Sequence, residues 1–311
     1  MNELVIKCEA LTKDFSNVRA VDTLNLSVPR GLIFGFLGPN GSGKTTTIRL
    51  LMGLLEPTSG RAIVLGSDTR GDGQAIRERS GALLEYSGLY ERLSAEDNLA
   101  FYARAYRLPP RERSSRICEL LTHLGLWERR KEQVGSWSRG MRQKLAVARV
   151  LLHRPALVFL DEPTAGLDPG AAAALRDELA MLVASQDVTV FLTTHNLAEA
   201  ERLCAQVAVI RAGKLLATGS PESLRAQAGG SRLEVFGRGF SSEALNFLRA
   251  RSEVSSIQEQ DSGLLIQLTG EVDPAPLITN LVANGAQVQE VRRIKASLED
   301  VFLALTKENH V

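Results

Sequence analysis

The first two hundred residues alternate short apolar runs with segments of helical periodicity. Four short runs are rich in apolar or β-branched residues and most are bounded by glycine or proline, which is typical of buried strands. They lie at 32–38, 61–66, 156–163 and 188–195. In the segment 45–55 the apolar residues Ile48, Leu51, Met52 and Leu55 share one helical face. This alternation predicts a mostly parallel sheet with helices on its faces.

Residues 94–150 have helical spacing almost throughout. The segment opens with Ser94, and Asp97 follows three residues later, which is the pattern of a capping box at a helix N-terminus. Further helices are predicted at 171–184 and 197–204. We therefore expect a helical subdomain at about 90–150 within the α/β domain.

The sequence changes character near residues 213–231, where RAQAGGS (225–231) is typical of a linker. We expect two domains, 1–228 and 229–311. In the second domain we predict strands at 232–236, 254–258, 264–268 and 287–294 and helices at 242–250, 274–283 and 297–306. This order predicts a small α+β sandwich of the ferredoxin-like type.

Composition narrows the classes of function. The 37 basic residues nearly cancel the 36 acidic ones, so the formal net charge is +1, which argues against nucleic acid as a partner. The cysteines Cys8, Cys118 and Cys204 lie far apart and are expected to be reduced thiols. The sequence has no signal-peptide pattern and no run of the ~20 apolar residues that a membrane helix needs. We therefore expect a soluble chain, and a role at a membrane would require another chain that crosses the bilayer.

The motif GPNGSGKT begins where the strand 32–38 ends and runs into the helix 45–55, which is the context of a phosphate-binding loop. Backbone N–H groups and the helix N-terminus are expected to surround phosphate oxygens. Lys44 would reach the β- and γ-phosphates, and the Thr45 hydroxyl would coordinate Mg²⁺. The residues expected to bind are Gly38, Pro39, Asn40, Gly41, Ser42, Gly43, Lys44, Thr45 and Thr46. An ordinary glycine-rich turn is the alternative, which the flanking strand and helix disfavour.

A pair of carboxylates ends the apolar run LVFLDEP. Asp161 lies at the carboxyl end of a predicted central strand, where ligands collect in open α/β sheets. It can hold Mg²⁺, and Glu162 can position and deprotonate a water for phosphoryl transfer. The alternative is that Glu162 only solvates the end of the strand.

A second anion-binding feature lies at SWSRGMRQK (136–144), before a predicted helix. A hydroxyl from Ser138, the N–H donors near Gly140 and a helix N-terminus suit an anion. The alternative is an N-capped helix in which Ser138 satisfies its own first turn.

These motifs occur in a fixed order: GPNGSGKTT, WSRGM, LVFLDEP, AGLDP and TTH. In that order the chain resembles the ATPase subunits of ATP-binding cassette (ABC) transporters over roughly residues 3–225. WSRGM, which stands where the family has LSGGQ, is similar to the signature of the drug-resistance exporter branch. The resemblance implies an α/β fold of the P-loop NTPase class, with a parallel sheet and a helical subdomain. It also implies ATP and Mg²⁺ as ligands.

The resemblance also implies a composite site. Two such domains would pack head to tail, so that Ser138 and the backbone at Gly140 of one copy meet the γ-phosphate held by the other. Asp168 matches the loop that contacts the other copy, and His195 matches the switch histidine. One phosphate loop in each chain implies a homodimer.

Three more positions are carried over from the family. Phe15 lies 23 residues before Gly38, where an aromatic residue stacks on adenine, and Val21 is expected to contact the same base. Glu85 stands where the family has a glutamine that senses Mg²⁺ and the membrane partner. A carboxylate there can still bind metal or water.

The function that the resemblance implies is ATP hydrolysis coupled to transport, with export favoured. The partner would be an integral membrane permease, and the chain would lie peripherally on the cytoplasmic side of the membrane. The alternative is a soluble ABC-type ATPase acting on ribosomes or DNA. A P-loop kinase or GTPase is a third possibility, but the sequence has no NKxD motif and SWSRG would stay unexplained.

Overall fold

The structure is a computed structural model that describes residues 3–186, 188–227, 231–260, 262–269, 272–295 and 297–307. The chain folds as two compact units, Met1–Thr218 and Gly219–Val311. The domain boundary that the sequence predicted, at 228/229, lies ten residues further along. The centre of the predicted linker, residues 228–230, falls outside the described residues.

The first unit contains most of the regular structure. In chain order its elements are β1 (Leu4–Phe15), β2 (Val18–Pro29), β3 (Ile33–Leu37), α1 (Lys44–Leu51), β4 (Ser59–Val64), β5 (Ser67–Asp68), α2 (Gly73–Arg79), β6 (Ser80–Leu83), α3 (Ala95–Ala105), α4 (Pro110–His123), α5 (Arg139–Leu151), β7 (Leu157–Asp161), α6 (Pro169–Gln186), β8 (Thr189–Thr194), α7 (Leu197–Leu203), β9 (Gln206–Arg211) and β10 (Lys214–Gly219). None of the helices in the described ranges is both long enough and apolar enough to span a bilayer.

The central sheet has the strand order β10-β9-β3-β8-β7-β6. The strands from β9 to β6 pair in parallel, and β3 and β8 are buried along their whole length. Phe191 of β8 packs against two aromatic rings of the neighbouring strand β3. The distance between ring centroids is 5.7 Å to Phe34 and 5.4 Å to Phe36. Leu37 pairs with Thr194, and Asp161 pairs with Thr193. The segments that follow β3, β7 and β8 therefore meet at one edge.

A separate antiparallel sheet, in the order β2-β1-β4-β5, was not predicted from the sequence. Charged residues and register shifts interrupt the alternation of buried and exposed residues along β1, so the sequence does not show the two-residue period of a strand there. Helix α1 contacts β2 and β4 of this sheet and β7 of the central sheet. Its residues Ile48, Leu50 and Leu51 are fully buried. The helix that begins at the phosphate loop is thus fixed on both sides.

The helical subdomain contains α3, α4 and α5, as the sequence predicted. Helix is not continuous over 94–150, however, because short 3₁₀ turns form at Trp127–Arg129 and Val134–Ser136. Ser94 caps α3 as expected, accepting a hydrogen bond from the backbone N–H of Asp97 at 3.1 Å.

The second unit begins with α8 (Pro221–Gln227) and continues with β11 (Ser231–Arg238), α9 (Ser242–Arg249), β12 (Val254–Gln260), β13 (Gly263–Leu268), α10 (Ala275–Ala283), β14 (Gln287–Lys295) and α11 (Leu298–Lys307). Its sheet has the order β12-β13-β11-β14 with every pair antiparallel. Helices α9 and α10 pack on the sheet, and α11 packs on α8. This is the ferredoxin-like arrangement that the sequence predicted.

Candidate functional site

A cavity of about 530 Å³ opens at the carboxyl edge of the central sheet. Its walls come from the phosphate loop, from the ends of β6 and β7, and from the start of β2. The lining residues are Val18, Arg19, Ala20, Asn40, Gly41, Gly43, Lys44, Thr45, Thr46, Glu85, Asp161, Glu162 and Ala212. The structure thus brings the two sequence-predicted motifs, more than a hundred residues apart, into one concave site.

The phosphate loop is shaped by close backbone approaches. Gly43 has a φ of +104°, and a Cβ at this position would collide with the carbonyl oxygen of Ala20. Glycine is therefore required here on two grounds, the left-handed backbone and the lack of space. Lys44 is buried, and its Nζ donates to the carbonyl oxygens of Gly38 at 2.8 Å and Pro39 at 3.2 Å. The loop thus surrounds one positive charge.

Helix α1 presents an open N-terminus to this loop. Within the described ranges, no side chain caps α1, and its first turn contains no acidic residue. The buried hydroxyl of Ser42 also has no hydrogen-bond partner among the described residues. Free N–H groups, the positive end of the helix dipole and an unsatisfied hydroxyl all favour a bound anion.

Two hydroxyl groups contact the carboxylate at the end of β7. Thr45 donates to Asp161 Oδ2 at 2.6 Å, and Thr193 donates to Asp161 Oδ1 at 2.5 Å. Hydroxyl and carboxylate oxygens are the donors that Mg²⁺ prefers, usually together with phosphate oxygens and water. The described residues hold no cluster of three or more His, Cys, Asp or Glu side chains that could bind a metal. Thr45 and Asp161 would supply two oxygen ligands of a metal, and the remaining positions are open to other oxygen donors.

Glu162 lies between a cation and an imidazole. Its Oε1 is 3.2 Å from Nζ of Lys44, and its Oε2 is 2.8 Å from Nδ1 of His195. The residue has a φ of +51°, and its N–H donates to the backbone oxygen of Thr193 at 3.1 Å. The half-buried carboxylate is held in a strained backbone position, as is common at functional sites.

The structure places differently the three residues that were assigned by the family resemblance, Phe15, Val21 and Glu85. Glu85 is exposed and lines the cavity. Phe15 is 43% exposed and pairs with Val18 across the β1–β2 hairpin, but it does not line the cavity. Val21 does not line the cavity, and its side chain is fully buried in the core. Val18 and Ala20 line the cavity instead, and no signal in the sequence pointed to them.

Ser138 and Gly140 lie at the start of α5, outside the residues that line the cavity. Ser138 is exposed and accepts a hydrogen bond from the N–H of Met141 at 3.2 Å, so it also caps its own helix. Arg139 reaches the loop 162–168 and donates to Ala165 O at 2.8 Å. The signature segment is thus fastened to the loop that follows Glu162.

Asp168 ends the same loop. Its Oδ1 accepts a hydrogen bond from the N–H of Ala171 at 2.9 Å, which caps α6. The side chain is exposed and does not line the nucleotide cavity.

A phosphate loop around Lys44, an open helix N-terminus and a strand-end carboxylate pair are together characteristic of P-loop NTPases. The family of ABC transporters matches residues 21–165, and the C-terminal domain of ATP-binding protein DrrA1-3-like proteins matches residues 219–306. The chain is 34% identical over 301 residues to the bacitracin transport ATP-binding protein BcrA of Bacillus licheniformis, covering 97% of each chain. It is 34% identical over 312 residues to the daunorubicin resistance ATP-binding protein DrrA3 of Streptomyces coeruleorubidus, covering 99% of this chain and 98% of that one.

The solved structures agree. The structure of cbiO1 from Clostridium perfringens, part of the ABC transporter complex cbiONQ, superposes with a TM-score of 0.68 at 27% identity. The match covers 72% of this chain and 92% of that chain. The chain therefore belongs to the ABC transporter family and is one of its ATP-hydrolysing, nucleotide-binding subunits.

Proposed function

We propose that this protein is the ATPase subunit of an exporter, bound peripherally to the cytoplasmic side of a membrane through a separate integral membrane permease. The names of BcrA and DrrA3, which refer to bacitracin transport and daunorubicin resistance, support this proposal. Both relatives match the chain over nearly its whole length, including the second unit. The alternative of an ATPase acting on ribosomes or DNA gains no support from these relatives.

The observation that carries the proposed mechanism is the separation of two anion-binding helix ends in one chain. The N-terminus of α1 borders the cavity, whereas Ser138 at the N-terminus of α5 is exposed and lies outside the cavity lining. A second copy, packed head to tail, would bring its Ser138 and Gly140 to the γ-phosphate of an ATP bound at Lys44. The working unit is then a homodimer with two composite sites.

The roles of the residues at the phosphate follow from their charges and contacts. Lys44 would bind the β- and γ-phosphates. Glu162 would accept the proton of the attacking water, and His195, which contacts the same carboxylate, would orient it towards the γ-phosphate. Asp168 would hold the loop at the dimer interface. Since all of these groups come from segments at one edge of a buried sheet, they are positioned before the nucleotide binds.

The donor set at Thr45 and Asp161 fits Mg²⁺, with Glu85 facing the same cavity as a further oxygen ligand, directly or through water. The ion would neutralise charge that develops on the phosphate oxygens. The adenine would stack on Phe15, and Val18 and Ala20 would form the apolar floor beneath it. An exposed Phe15 ring at the hairpin end is accessible to a base.

The permease would dock beside Glu85. Tyr86 is 82% exposed and Tyr90 is 46% exposed, and Phe101 packs edge-on against Tyr90 with 5.0 Å between ring centroids. The buried amide of Asn98 fixes this surface, since it accepts from the N–H of Tyr90 at 2.8 Å and donates to its carbonyl oxygen at 3.0 Å. A rigid, exposed aromatic cluster next to the nucleotide cavity suits a protein partner that senses hydrolysis.

We further propose that the C-terminal unit is an accessory domain that serves assembly or regulation. Every residue that lines the nucleotide cavity belongs to the first unit. The second unit has its own buried core, formed by residues such as Leu233, Leu248 and Ile266.

Affinity purification of the tagged chain from detergent-solubilised membranes tests the transporter assignment. We expect a multi-helix membrane protein to co-purify, and the double change Tyr86→Ser and Tyr90→Ser to reduce its recovery. The matched control is Phe247→Ser, since Phe247 is 44% exposed but belongs to the second unit. Recovery of ribosomal proteins or DNA in place of a membrane protein would contradict the proposal.

A further inference from the structure

A second carboxylate lies buried behind the Glu162–His195 pair. Glu199 of α7 is only 5% exposed. Its Oε2 accepts a hydrogen bond from the Thr164 hydroxyl at 2.5 Å, and its Oε1 is 3.4 Å from a guanidinium nitrogen of Arg176 on α6. Its backbone N–H donates to the side chain of Asn196, which caps α7. One buried side chain thus joins a loop and two helices.

The residues that Glu199 contacts are sequence neighbours of the proposed catalytic pair. Thr164 follows Glu162 by two residues, and Asn196 directly follows His195. The Glu199 carboxylate contacts the segment of Thr164, and its backbone N–H contacts Asn196. Glu199 thus links the two segments whose ends must stay together for the 2.8 Å contact between Glu162 and His195. A side chain in this place can affect the distance between those segments although it does not line the nucleotide cavity.

The loop 162–168 borders a cleft of about 440 Å³, which is also lined by Arg176, His195 and Glu199. Because fewer atoms pack against a loop on the side where it borders a cleft, its polar contacts carry more of its positioning. The positive φ of Glu162 is a strained backbone conformation, which the polar contacts of the loop must stabilise.

We propose that Glu199 is a positioning residue for ATP hydrolysis: through its hydrogen bond with Thr164 it holds the loop 162–168 against α7, and so keeps Glu162 in place beside His195. The proposal rests on the roles given above to Glu162 and His195. It assigns Glu199 no contact with nucleotide or water. The guanidinium of Arg176, 3.4 Å from Oε1, offsets the cost of burying a carboxylate at this place.

The test compares Thr164→Val with Thr164→Ser and Glu199→Gln in the full-length protein. Thr164→Val keeps the side-chain shape and removes the donated hydrogen bond. We expect it to lower kcat at least about tenfold with KM for ATP unchanged, because a displaced catalytic group slows chemistry more than binding. Thr164→Ser should restore the rate. Glu128→Gln, at an exposed position that lines neither the nucleotide cavity nor the cleft, is the control and should keep wild-type kcat.

A double-mutant cycle separates positioning from general damage. If the two residues act through one contact, Thr164→Val combined with Glu199→Gln should be no slower than the slower single variant. Fully additive losses, or a wild-type kcat for Thr164→Val, would overturn the proposal. Glu162→Gln is measured in parallel, because normal hydrolysis by that variant would refute the role of Glu162 itself. Loss of hydrolysis in Glu162→Gln with normal hydrolysis in Thr164→Val would refute only the role of Glu199.

Discussion

Nδ1 of His195 lies 2.8 Å from Oε2 of Glu162, although the two residues are 33 positions apart in the chain. The contact forms because β7 and β8 are paired in parallel and end at the same level, with Asp161 opposite Thr193. Glu162 directly follows the last residue of β7, and His195 directly follows the last residue of β8. The geometry of the proposed catalytic pair is therefore a consequence of strand register, which the buried apolar strands fix.

Replacing the proposed base should stop hydrolysis without stopping binding. We expect Glu162→Gln to bind ATP normally and to lower kcat by about 100-fold or more, the range typical of losing a general base. Because hydrolysis ends the closed state, ATP should also hold this variant as a dimer. Fluorescent-nucleotide titration, steady-state kinetics and light scattering measure the three effects.

Glu128→Gln is the matched control for this charge change, since Glu128 is exposed and far from the cavity lining. It should behave as wild type in all three measurements. A Glu162→Gln variant with undiminished turnover would show that another group activates the water.

The signature serine should matter to a partner copy rather than to its own chain. Ser138→Arg puts a bulky cation at the exposed start of α5, so we expect it to leave nucleotide affinity of the monomer unchanged and to block hydrolysis. Ser136→Arg, two residues earlier and also exposed, is the control and should retain turnover.

Mixing two inactive variants extends this prediction. In a heterodimer of Ser138→Arg and Lys44→Ala chains, one composite site has both an intact Lys44 and an intact Ser138. Random pairing should restore roughly a quarter of wild-type activity, since half of the dimers are mixed and each has one complete site of two. Activity in the Ser138→Arg chain alone would remove the role across the subunit interface.

The sequence predicted β3, β7 and β8 of the central sheet because these strands are buried and rich in apolar residues. It did not predict β6, β9 and β10, and the strand predicted at 61–66 belongs to the antiparallel sheet as β4. Gly38, Asp161 and Glu162 could be assigned to one edge for the same reason. The hairpin of β1 and β2 was missed because irregular pairing disrupts its alternation. The register shifts between the pairs Lys13–Val21 and Asp14–Arg19, so the face of Val21 could not be read from the sequence.

Polar contacts between residues far apart in the chain could not be predicted from the sequence either. The contact between Arg139 and Ala165 joins segments 26 residues apart, and Thr164 meets Glu199 across 35 residues. Hydrophobic periodicity predicts helices and strands, but it does not predict either of these contacts, because a single side-chain contact depends on tertiary packing.

The cysteines should differ sharply in reactivity. Burial raises the pKa of the Cys8 thiol to about 12 and that of Cys204 to about 12, whereas Cys118 is partly exposed. Because the thiolate is the reactive form, native protein at pH 8 should show one fast thiol in a colorimetric assay. Denaturation should release all three. A Cys118→Ser variant that retains the fast reaction would contradict this assignment.

Stability should fall on mild acidification through His153. Burial lowers the pKa of its imidazole below the ordinary value of about 6.5, and the nearby Arg116 and Arg149 lower it further. The neutral ring donates from Nε2 to the Ser80 carbonyl oxygen at 3.0 Å and stacks on Tyr106. The stabilisation that the neutral His153 ring provides is complete above the pKa that this ring has in the unfolded chain. It is lost as the pH falls through the lower pKa that the ring has in the folded protein.

Thermal midpoints measured between pH 7.5 and 5.5 test this effect. Replacement by His153→Gln removes the titrating ring while keeping a donor for Ser80, so the variant's midpoint should decline less steeply with acid than that of wild type. Equal slopes would show that His153 is not linked to folding in this range.

The central claim is that each nucleotide site is completed by a second copy of the chain. The rate of ATP hydrolysis per molecule, measured over a dilution series with the oligomeric state followed by light scattering, tests it most directly. We expect the rate per molecule to fall in proportion to protein concentration once dimers dissociate. A constant rate per molecule in a preparation that is monomeric throughout the series would contradict the claim.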